Sequence, residues 1–217
     1  MNVRNILFLL ASTTLAATGF VQAASPAHDM AAATLGTSPS TPQLQAAMRS
    51  LWHGHVVHTR EYAMAVHAHD NAKAKTAAGA VVANAKQIAN AVGGFYGKAA
   101  GAQTLQLLAG HWGGVKALTD ASAAGDTAGE QKAMADLNDN VTAIAKFFSG
   151  ANPNLPQNAV QNLFATHVAH HAAQIKQIMS GDSKGEQATW ADMQAHMNTI
   201  ADALAGGIAK RFPDKAH

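Results

Sequence analysis

Three histidines, His55, His111 and His167, stand 56 residues apart, and the columns around them agree without a single insertion. Leu51/Leu107/Leu163, Asp70/Asp126/Asp182, Ile88/Ile144/Ile200, Ala89/Ala145/Ala201 and Gly94/Gly150/Gly206 recur at the same period. Alanine is so common in this chain that its column adds little, but the other columns mark an internal repeat. A repeat of this length restricts the fold to copies of one supersecondary unit, either closed round an axis or stacked as a solenoid.

The punctuation of each copy identifies the unit as a helical hairpin. Asn71, Thr127 and Ser183 are good N-cap types at the head of the second helices, with Glu130 and Glu186 spaced to complete capping boxes. Gly125 and Gly181 precede them and suit a left-handed helix end, where the first copy has His69. Thr41-Pro42 starts the first helix, Pro156 does the same for the fifth, and Gly93-Gly94, Gly150 with Pro153, and Gly206-Gly207 end or weaken the second helices. Six helices are predicted, near 42–68, 72–92, 98–123, 128–149, 156–179 and 184–210. No strand-like alternation persists, so the fold class is all-α, a bundle of three antiparallel hairpins.

Helical periodicity places the histidines on apolar stripes. Leu44, Met48, Leu51, His55, Thr59, Tyr62 and Val66 follow three- and four-residue steps, as do Leu108, His111, Val115 and Leu118, and then Val160, Phe164, His167, His171 and Ile178. The partner helices carry Asn84, Asn140 and His196, again 56 apart. His55 precedes Asp70 by about as many residues as Asn84 follows it, so antiparallel legs bring each pair to one height. Closed hairpins would gather six polar side chains into one layer; stacked hairpins would leave a row of pairs.

Such a layer has two readings. In a structural or partner-binding helical module, buried polar groups only fix helix register by satisfying one another. Alternatively His55, His111, His167 and His196 hold a transition metal or another small ligand, with His58 and His171 one turn away as secondary candidates and Asn84 and Asn140 as polar partners. The stripes carry almost no carboxylate, which disfavours a bridged di-iron centre, and nitrogen ligation suits Zn²⁺, Cu²⁺ or Ni²⁺. Asp136 and Asp192 are placed to orient ligands from outside, and Thr59, Arg60 and Tyr62 to bind an anion. Noncovalent haem fits a buried histidine, whereas covalent attachment would need a Cys-x-x-Cys-His string that is absent. Met48, Met64, Met134, Met179, Met193 and Met197 fall at core spacing and read as packing residues. No nucleophile elbow, phosphate-cradling loop or dense acid pair points to catalysis.

Twelve histidines stand beside only 13 acidic residues, so the chemistry of this chain is imidazole chemistry. Fifteen basic residues, scattered rather than clustered, give no footprint for nucleic acid. There is no cysteine, which excludes disulfides and thiolate sites. Arg4, the apolar run Ile6 to Leu10 and its Ala-rich continuation, and small residues at Val21 and Ala23 read as a signal peptide over 1–23. Residues 24–40, rich in Ala, Ser, Pro and Thr, read as a flexible leader. Residues 41–217 then form one helical domain, periplasmic or secreted, with no membrane anchor after cleavage of the signal.

The string Leu51-Trp52, His55-Val56, Thr59-Arg60 resembles an L-W-x-x-H-V-x-x-T-R motif found in a family of uncharacterised exported bacterial helical-bundle proteins. Phe95-Tyr96-Gly97, Ala100-Gly101, Leu107-Leu108 with His111, Ala151-Asn152-Pro153-Asn154 and Phe212-Pro213 extend the resemblance from about Leu51 to Asp214. It implies a helical bundle and export, and implies no activity. Family members often carry acidic residues just before the first histidine, where this chain has His53-Gly54, so the resemblance assigns no role to His53.

Overall fold

The computed structural model describes residues 42–216. The expected signal peptide over 1–23, the expected leader over 24–40 and the expected Thr41 cap lie outside the described residues. Within them are six helices, α1 Pro42–His67, α2 Asn71–Tyr96, α3 Lys98–Ala124, α4 Thr127–Ala151, α5 Gln157–Ser180 and α6 Ser183–Arg211, then a 3₁₀ turn, Pro213–Lys215. No strand occurs among the described residues. No described helix is long and apolar enough to cross a membrane.

Each helix packs on the next, α6 returns to α1, and α1, α3 and α5 also touch one another. The hairpins therefore close round a common axis and do not stack as a solenoid. α1, α3 and α5 run parallel inside, while α2, α4 and α6 fill the grooves outside. Two paired contacts between α1 and α6 help to close the ring. Arg49 donates to both carboxylate oxygens of Asp202 at 2.7 and 2.5 Å, and Arg60 to both of Glu186 at 2.6 and 2.9 Å. The first is exposed and contributes little; the second is largely shielded from water and also receives Gln174 Nε2 at 2.8 Å.

The caps differ from the sequence expectation by one residue. Asp70, Asp126 and Asp182 are the N-caps, their carboxylates accepting the backbone N–H of Lys73, Gly129 and Gly185 at 3.0, 2.9 and 2.9 Å. Asn71, Thr127 and Ser183 are the first helical residues. An ionised carboxylate is at least as good a cap as an amide or hydroxyl, and it complements the helix dipole. Glu130 and Glu186 then have other partners: Ser122 donates to Glu130 at 2.6 Å, and Glu186 takes Arg60 and Gln174. The glycine pairs also do not stop the second helices. α2 runs through Gly93-Gly94 to Tyr96, and a Cβ on Gly101 would lie 2.9 Å from the Ala89 carbonyl and 3.1 Å from Gly93 Cα. These glycines let α3 cross close to α2, and the turn is made by Gly97 at φ +96°.

Gly125 and Gly181 take the left-handed cap at φ 66° and 73°, as expected, and His69 holds the same conformation at φ 55° despite its Cβ. His69→Gly is therefore expected to stabilise the protein by roughly 0.5–1 kcal/mol, the relief of left-handed strain less the entropy of glycine. A higher urea midpoint at unchanged slope would show it.

One end of the bundle is latched by Asn152, which is fully buried between α4 and α5. Its amide donates to Tyr96 Oη and to the Gly207 carbonyl, both at 2.8 Å, and its oxygen accepts the Asn154 N–H at 3.0 Å. Phe212 packs edge-on against Tyr96, with ring centroids 4.9 Å apart.

Candidate metal centre

The centre is built by the inner helices. Each buries one stripe against the other two, and the histidine of that stripe reaches the axis at the same height. His55 from α1, His111 from α3 and His167 from α5 meet there, each no more than 2% exposed. α5 adds a fourth. His171 lies four residues after His167, so both project from one face, and it is equally buried. Its counterparts on α1 and α3 are Thr59 and Val115. Thr59 turns its hydroxyl back to the carbonyls of His55 and Val56 at 3.1 and 3.0 Å, so the departure from threefold likeness is His171 itself.

One ring nitrogen from each of these four histidines lies within 4.8 Å of those of the other three. His167 and His171 bring their Nε2 atoms to 3.1 Å. Four nitrogens ~2.0–2.1 Å from a tetrahedral Zn²⁺ are roughly 3.4 Å apart, so small side-chain rotations would complete such a shell. Trp52 stands edge-on to His55 at 6.2 Å and to Phe164 at 5.8 Å, forming an aromatic floor one turn away.

The electrostatics suit a cation's ligands. Burial, which penalises the charged imidazolium, lowers His55 to about 3, with further repulsion from His111 and His58. Burial likewise lowers His111 to about 4, opposed by an interaction with Asn140. His167 and His171 are held well below the usual range, again first by burial and then by neighbouring histidines. All four are neutral at pH 7 and offer lone pairs without proton competition. Both nitrogens of His55, both of His111 and Nδ1 of His167 are buried without a hydrogen bond. Each such atom costs about 1–3 kcal/mol, and native cores seldom tolerate several together unless a ligand or water completes them. The cluster could hold a metal ion.

The expected site residues separate into two shells. His196 does not join the cluster; its Nε2 lies 2.8 Å from the Leu163 carbonyl of α5. Asn84 and Asn140 do the equivalent, donating Nδ2 to the carbonyls of Leu51 and Leu107, each at 2.9 Å. The six polar residues share a height, but three face the axis and three grip the inner helices from outside. His58 is turned outward to Glu61, with Nδ1 2.9 Å from Oε2. His171, ranked second by sequence, is the fourth member. Its spacing of four from His167 was the available clue, and only the inner position of α5 gives that clue its weight.

Other expectations are corrected. Arg60 is committed to Glu186, and Tyr62 donates to Asp120 at 2.7 Å, so this group is no anion site. Asp136 is exposed and paired with Lys132 at 2.6 Å, and Asp192 is exposed, so neither orients the histidines. The four imidazoles have ring centroids only 4.4–6.0 Å apart, too close to admit a porphyrin between them. Met48, Met193 and Met197 are buried in the apolar core and Met134 and Met179 pack against it, as packing residues should, whereas Met64 is 45% exposed and is not one.

Fold and site together define a closed six-helix bundle with an all-histidine centre. Comparison with family models, with curated proteins and with solved structures found no match.

Proposed function

We propose that this chain is an exported helical binding protein that holds one first-row transition-metal ion, Zn²⁺, Cu²⁺ or Ni²⁺, at His55, His111, His167 and His171. The observation that carries the reading is the convergence of four neutral, buried imidazoles, three of which have ring nitrogens without a hydrogen bond. An all-nitrogen set without carboxylate or thiolate favours these ions over Ca²⁺, Mg²⁺ or iron–sulfur chemistry. Export is supported by the charged and apolar residues from Arg4 to Ala23 and by the resemblance carried by Leu51-Trp52, His55-Val56 and Thr59-Arg60.

Calorimetric titration of tag-free protein with each ion is expected to show one site per chain. His167→Ala should lose that site, because His167 lies against every other member of the cluster. If the variant binds metal as the parent does and only melts earlier, the histidines merely specify packing and the reading fails.

A further inference from the structure

Two buried acceptors on the outer helices match two buried donors on the inner ones. Asn84 and Asn140 each spend Nδ2 on a main-chain carbonyl, at 2.9 Å in both cases, and each leaves Oδ1 buried without a hydrogen bond. The carbonyls they grip, Leu51 and Leu107, lie one turn before His55 and His111, whose ring nitrogens are likewise without hydrogen bonds. Asn140 already interacts with the His111 ring in the sense that favours a proton there.

The approach of these amides is prepared by the sequence. A Cβ on Gly54 would lie 2.9 Å from Asn84 Nδ2, and one on Gly110 would lie 3.0 Å from Asn140 Nδ2. The position immediately before each histidine is thus glycine where the partner is asparagine. In the third hairpin it is Thr166, and the partner is the longer His196. That imidazole also grips its inner helix, with Nε2 2.8 Å from the Leu163 carbonyl. A carbonyl only accepts, so Nε2 carries the proton of that contact. His167 Nδ1 is one of the buried nitrogens without a hydrogen bond, while its Nε2 already faces His171 Nε2.

We infer that Asn84 and Asn140 are positioning residues. When an ion draws Nε2 of His55 and His111 to the axis, the ring rotation brings Nδ1–H to the waiting Oδ1 of Asn84 and Asn140, which fixes the tautomer of both ligands. This deepens the metal reading above and rests on it for its purpose. Each outer residue is held by its own donor to a helix carbonyl, so the acceptor it presents is fixed before any ion arrives. A ligand imidazole anchored at Nδ1 is oriented and made more basic, and loss of such an anchor usually costs 10- to 100-fold in metal affinity.

Nitrogen-15 NMR of the imidazoles in the Zn²⁺-loaded protein tests the tautomer. Protons on Nδ1 of His55 and His111, protected from exchange, are expected in the parent protein. Asn140→Ala should release that of His111 and weaken Zn²⁺ binding about 10- to 100-fold. Asn140→Asp keeps the acceptor but loses the donor to Leu107, so it should retain most of the affinity. Nδ1 coordination, or equal losses in Asn140→Ala and Asn140→Asp, would overturn the inference while leaving the metal site standing. Absence of any stoichiometric ion would sink the metal reading and this inference with it.

Discussion

His111→Leu is expected to stabilise the metal-free protein by about 1–3 kcal/mol and to abolish its stabilisation by metal. His111 is 2% exposed, and neither of its ring nitrogens makes a hydrogen bond. Leucine has similar volume, lies against the rings of His55, His167 and His171, and brings no polar atom that needs a partner. The cost of burying an unsatisfied imidazole disappears, while the lost packing is small. In the parent, an ion at a thousand times its dissociation constant adds about 4 kcal/mol of stability, and the variant forfeits that gain. Urea titrations with EDTA and with Zn²⁺ separate the two effects. A histidine retained only to fix packing would give the opposite result, a less stable metal-free protein.

The second large effect is acid instability of the metal-free protein. Folded His55 and His111 are lowered to about 3 and about 4, and His167 and His171 lie well below their ordinary range. In the unfolded chain each titrates near ~6.5. Between those limits the unfolded state binds more protons, so stability falls as pH falls. The contribution is complete above pH ~6.5 and is lost progressively toward the folded values. Each histidine removes up to about 1.4 kcal/mol per pH unit, so the cluster removes several kcal/mol, on the order of the stability of a domain (about 5–15 kcal/mol), by about pH 5. Cooperative loss of helical circular dichroism is expected between about pH 5 and 4. His111→Leu should move the midpoint to lower pH. A flat signal to pH 4 would mean that the histidines are hydrated or already charged in the folded state.

Much of this site was legible in the sequence because period and chemistry coincide in it. The 56-residue spacing of His55, His111 and His167 with apolar neighbours at three- and four-residue steps set both the hairpins and the common height. What spacing cannot say is which member of a hairpin faces the axis. His196 and His167 share a height, yet α6 lies outside and α5 inside, so His196 grips Leu163 while His171 completes the cluster. Buried Glu186 was hidden by its place in a helix's first turn, where a capping box is the local expectation; its partner Arg60 is 126 residues away. The strings at Phe95-Tyr96-Gly97, Ala151-Asn152-Pro153-Asn154 and Phe212-Pro213 likewise had no visible relation. They converge in the Asn152 latch, which gives them a packing role at the end of the bundle.

X-ray absorption on protein loaded with one equivalent of Zn²⁺ tests the central claim most directly. The account predicts four nitrogen neighbours at about 2.0 Å, with the outer scattering of imidazole rings, and one of the four replaced by oxygen in His171→Ala. A shell dominated by oxygen, or a nitrogen shell unchanged in that variant, would contradict it.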